Sequence, residues 1–174
     1  MKYTIAIALF IAPFYMVLSS MPAHAAWTAH KFKDDFTGAV VWNAMGDEVS
    51  PESPLDFPYR GTAAHIVIGK QNGELFAAIV FNGSINIVGG SYGVYTGAVA
   101  YKVDAIIDGD RETITMYQTN SENDTLRIRY VDWFINKVRN NDTIKIRLQW
   151  YGNGGVVFLF HTDGAKKAIG QFID

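Results

Sequence analysis

Thr143-Ile144-Lys145-Ile146-Arg147-Leu148-Gln149-Trp150 decides the fold. Apolar and polar residues alternate along it without a break. That period of two belongs to a strand with one face on a core and one in water. Gly152-Asn153-Gly154-Gly155 follows, and then the apolar run Val156 to Phe160. An Asn-Gly pair accepts the positive φ of a tight turn, so the two runs predict an antiparallel hairpin.

The reading extends outward from this hairpin. Just upstream, Val131, Phe134, Ile135 and Val138 fall on one stripe of a helix over about 131–139. Asp132 stands in its first turn and Lys137 and Arg139 in its last, as the helix dipole prefers. Just downstream, Ala165, Ala168, Ile169 and Phe172 predict a second helix over about 163–172, with Thr162 or Asp163 as its cap. Further back, Ala98 to Ile107 alternates and turns at Asp108-Gly109-Asp110 into Thr113 to Tyr117. Ala64 to Ile68 and the nearly continuous apolar run Glu74 to Phe81 flank Gln71-Asn72-Gly73, a second strong hairpin turn. Val40-Val41-Trp42 ends a first apolar run. The fold expected is mainly β: an antiparallel β-sandwich or rolled sheet with two short helices, as one domain over 26–174.

The first residues read as an address. Lys2, the apolar stretch Ile5 to Leu18 and the small-x-small site Ala23-His24-Ala25 are the three parts of a secretory signal peptide. Pro13 and the segment Ser19 to Pro22 shorten the apolar stretch below the ~18 residues a spanning helix wants. Cleavage near Ala25 is expected, with residues 1–25 removed and the remainder periplasmic or secreted, without a membrane span.

Composition narrows the function. The chain has 15 Lys+Arg, 17 Asp+Glu and no cysteine, with a net charge of −2. This balance argues against a mainly electrostatic nucleic-acid partner. The missing cysteines exclude disulfides, thiolate catalysis and cysteine-ligated metals. His30, His65 and His161 are isolated, and no metal or cofactor motif occurs, so none is expected. Gly89-Gly90-Ser91-Tyr92-Gly93 fits G-x-S-x-G, with Asp104, Asp132 or Asp142 and then His161 in hydrolase order. The following residues show no helical stripe and no βαβ alternation, so a glycine-rich turn is the stronger reading. Arg127, Arg129, Lys137 and Arg139 surround Tyr130 and Trp133, and read as the polar side of a strand and helix. Lys102 and Asp104 share one strand face, with Arg147 and Arg129 available as partners; a surface ladder is preferred to a buried network.

Two loops stand out. Asn43 to Gly61 holds Pro51, Pro54 and Pro58, and Asp47, Glu48, Glu52 and Asp56 against Arg60 alone. A connection of that length is usually functional or disordered. Gly83 to Gly97 is rich in glycine. Trp42, Phe57, Tyr59, Tyr92 and Tyr95 are the candidate binding anchors, because interfaces favour aromatic residues.

From Tyr101 onward the chain resembles a group of small periplasmic β-sandwich proteins. The residues that carry the resemblance are Tyr101-Lys102-Val103-Asp104, the Phe134-Ile135 helix, Ile144-Lys145-Ile146-Arg147, and Phe160-His161-Thr162-Asp163-Gly164-Ala165-Lys166-Lys167-Ala168-Ile169. The group includes type VI secretion accessory proteins and, more distantly, invasion-associated locus B-like proteins. Lys102 stands where arginine is common there, and the cysteines of many members are missing. The resemblance implies a periplasmic sandwich whose motif residues are structural. The expected function is a non-enzymatic binding or accessory module of a cell-envelope or secretion system, with a protein partner in the envelope. The alternatives are a small secreted serine hydrolase centred on Ser91 and a carbohydrate or peptidoglycan binder.

Overall fold

A computed structural model describes residues 27–33, 35, 38–93, 97–119 and 123–173; the expected signal peptide lies outside them. The strands are β1 (Thr28–Lys33), β2 (Val40–Met45), β3 (Ala64–Gln71), β4 (Glu74–Phe81), β5 (Ser91–Gly93), β6 (Ala98–Ile107), β7 (Asp110–Thr119), β8 (Thr125–Ile128), β9 (Thr143–Trp150) and β10 (Gly154–His161). Helix α1 (Val131–Asn140) lies between β8 and β9, and α2 (Ala165–Ile169) follows β10. The protein is thus mainly β. Its strands form one antiparallel sheet in the order β1-β2-β3-β4-β8-β7-β6-β9-β10, with β5 added beside the start of β6.

Turn chemistry sets the register. Asn72 and Gly73 both take positive φ, 52° and 88°, which closes β3 onto β4 with Gln71 opposite Glu74. Asp108 and Gly109 do the same for β6 and β7. The β9–β10 turn differs: three residues, Tyr151 to Asn153, separate the paired Trp150 and Gly154, and Gly154 takes a φ of 69°. Along β9, Ile144, Ile146, Leu148 and Trp150 are buried, as the alternation demands.

The sheet curls until its halves face each other without closing into a barrel. Phe81 of β4 meets Trp150 of β9 and Phe158 of β10 edge-on, with ring centroids 5.8 and 5.7 Å apart. Such ring pairs add about 0.5–1.5 kcal/mol each beyond the area they bury. Helix α1 covers the core with Phe134, Ile135 and Val138, as its stripe predicts. The amides of Asn140 and Asn141 donate to the carbonyls of Asn136 and Lys137, satisfying its last turn.

Helix α2 is shorter than the expected 163–172. Its N-cap is Gly164, at a φ of 85°, and no side chain caps it. The Thr162 hydroxyl donates instead to the Asn141 carbonyl, fastening the α1–β9 connection. Phe172 lies beyond the helix and stacks on Trp42 at 5.9 Å.

The seam between the early strands and β10 is closed by parts that are not strands. Trp27 Nε1 donates to the His161 carbonyl at 3.0 Å, and the ring packs close to Gly46. The long connection 46–63 acts as a strap. Val49 bridges to Ala64 of β3, while the Glu52 amide donates to the Val157 carbonyl of β10 at 2.8 Å. Glu52 also pairs with Lys145 at 2.6 Å, and Leu55 is buried beneath. The strap is an ordered, docked element.

Candidate functional site

The sheet geometry fixes where Ser91 and His161 stand. Ser91 pairs with Ala100 at the start of β6, and its hydroxyl faces the Ala100 carbonyl at 3.5 Å. His161 pairs with Thr143, and the next residue of β9, Ile144, pairs with Ile107 at the far end of β6. The two levels are roughly 25 Å apart at strand rise. The structure does not bring these residues together as nucleophile and base.

The glycines around Ser91 have local reasons. Gly89 takes a φ of 83°. A Cβ on Gly90 would stand 2.3 Å from Val99 and 2.6 Å from the Tyr101 ring. The pattern is what a close crossing over β6 requires.

The same end of the sheet gathers both loops singled out by sequence. The Asp56 amide donates to Asn153 Oδ1 at 2.7 Å, which holds the strap tip on the β9–β10 turn. The Tyr151 amide donates to the Asn86 carbonyl, and the Val88 amide to the Gln149 carbonyl, both at 2.8 Å. Phe57, Val88, Tyr92 and Tyr151 therefore share one rim, with relative exposures of 84%, 42%, 62% and 63%. Tyr151 and Val88 were not among the expected anchors; a turn and a glycine-rich strip carry no periodicity to reveal them.

The other candidates divide. Tyr59 is half-buried and packs edge-on against Trp150 at 5.5 Å. Trp42 is half-buried, with Phe172 stacked on it and Lys31 Nζ 5.0 Å from its ring centroid. Both rings are engaged within the molecule. Tyr95 lies outside the described residues.

Few titratable groups are displaced. Burial pushes His65 below its ordinary value, with Glu48 opposing. Burial raises Tyr101, whose hydroxyl donates to Gln118 Oε1 at 3.4 Å. The amides of Asp142 and Thr143 hold Asp108 below the usual carboxylate range. Each shift has a packing or capping cause. Among the described residues, no three histidine, aspartate or glutamate side chains gather as a metal would require. No helix there is long and apolar enough to cross a membrane. Lys102 and Asp104 are exposed on the outer face of β6, with Asp104 directly opposite Arg147. Their exposure on the outer face excludes the buried network, and among the described residues neither forms an ion pair.

Comparison with family models, curated proteins and solved structures finds no match to this chain.

Proposed function

We propose that the protein is exported, loses residues 1–25, and works as a non-enzymatic binding or accessory module of a cell-envelope or secretion system. One observation carries the binding role: two loops distant in sequence meet at the β9–β10 turn and hold Phe57, Val88, Tyr92 and Tyr151 outward. Exposed rings on a braced rim suit a protein interface, because large rigid side chains bury much area at little entropic cost. The segment Lys2 to Ala25 and the resemblance to periplasmic accessory proteins support the envelope as its place.

Photo-crosslinking residues at positions 57 and 151, in cells producing the full chain, test the reading. The same envelope protein should be captured from both positions, and captured less after Phe57→Ala. Capture at neither position sinks the rim as an interface. Co-sedimentation with isolated peptidoglycan, lost in Tyr151→Ala, would instead favour the sugar-binding alternative. N-terminal sequencing of the exported protein should begin at Ala26.

A further inference from the structure

We infer that the outer face of β7, β6 and β9 holds a second site, which binds a small oxyanionic ligand through Arg111 and Arg147. Strand order creates it. Thr113, Asp104 and Arg147 stand side by side across the three strands, and Arg111, Ile106 and Lys145 form the adjacent row. All six line one groove of about 570 Å³. Ile106 is exposed at its centre, flanked in its own row by Arg111 and Lys145.

The charges around this groove are unevenly satisfied. Glu112 is taken by Lys137 at 2.8 Å, and Glu52 of the strap by Lys145 at 2.6 Å. The side chains of Arg111 and Arg147 form no ion pair or hydrogen bond among the described residues. Their positions differ by about 10 Å across the strands and about 7 Å along them. Both side chains line the groove, Arg111 from the β7 side and Arg147 from the β9 side, where its stem lies toward Gly155 of β10. Gly155 shapes the approach: a Cβ there would lie 3.3 Å from Cδ of Arg147, so glycine leaves room for the arginine stem to cross β10. Guanidinium forks match carboxylate and phosphate oxygens in pairs, so two unneutralised forks over an apolar floor select an anionic group. Asp104, between them, weakens the site for an anion and sets a built-in control.

The test titrates inorganic phosphate and, separately, citrate into the isotope-labelled protein while backbone amides are followed. Saturable shifts confined to the outer face of β6, β7 and β9 are expected, weakening as salt rises. A response to phosphate alone assigns a phosphoryl ligand, and one to citrate alone a polycarboxylate. Arg111→Gln and Arg147→Gln should each weaken binding about tenfold. Asp104→Asn should tighten it, and Gly155→Leu should weaken it without altering charge. Unmoved amides in α1 show that each variant keeps its fold. No saturable shift in the parent protein overturns the site, as do shifts that persist in the double arginine variant.

Discussion

The two ends of the rolled sheet are secured differently. At one end Asp108 leaves the β6–β7 turn and accepts from the amides of Asp142 and Thr143 at 2.9 and 2.8 Å. Thr162 ties down Asn141 close by, and α1 and α2 bring Phe134, Val138 and Ile169 into the core beside them. At the other end the strap, the strip 83–90 and the β9–β10 turn are joined by bonds donated by the Asp56, Val88 and Tyr151 amides, and four large apolar side chains stay exposed. The contrast teaches where stability and recognition reside. One end is fixed by burial and multiple bonds to one carboxylate. The other turns apolar residues outward, as a recognition surface does.

The largest test strikes the fixed end. Phe134→Ala removes a side chain with no exposure, and chemical denaturation should show a loss of about 3–5 kcal/mol. Asp108→Ala comes next and should lower the melting temperature at neutral pH. Because the native carboxyl titrates below its unfolded value, its contribution is present above the ordinary range, about pH 3.9, and is lost as pH falls through the native value. Parent and variant melts should therefore converge in acid. His65, near the rim end, gives a smaller effect. Its native pKa lies below about 6.5, so stability should decline as pH falls from there through the native value, and His65→Gln should flatten that decline. Phe57→Ala and Tyr151→Ala should each change stability by no more than about 0.5 kcal/mol while reducing crosslinking to a partner. Equal destabilisation by Phe57→Ala and Phe134→Ala would erase the difference between the ends.

Much of the sheet was legible in the sequence, for reasons that vary by element. Ile144 to Trp150 alternates because one face is buried and the other wet, and Asn72-Gly73 announces its turn by the φ it tolerates. β1 was illegible because its residues are nearly all exposed at a sheet edge, so no face selects apolar side chains. The helical spacing runs past the end of α2 because Phe172 continues it, yet Phe172 serves a stack on Trp42. The docking of the strap is invisible in the sequence because its attachment to β10 uses the Glu52 amide, which every residue type except proline possesses. The rim needed the spatial meeting of two loops. The outer groove needed β6 beside β9, an adjacency that no local pattern encodes.

The seam has a consequence for the order in which the molecule assembles. The bond from Trp27 to His161 joins residues 134 positions apart, and α2 follows even later in the chain. Hairpins such as β3–β4 and β9–β10 are local and can form early, whereas the seam rewards the chain only when its first strand and last helix are both at hand. Assembly must therefore finish last where the ends of the described chain meet. Until then the inner faces of β3, β4, β9 and β10 stand open to water, a period in which a holding chaperone would have most to grasp.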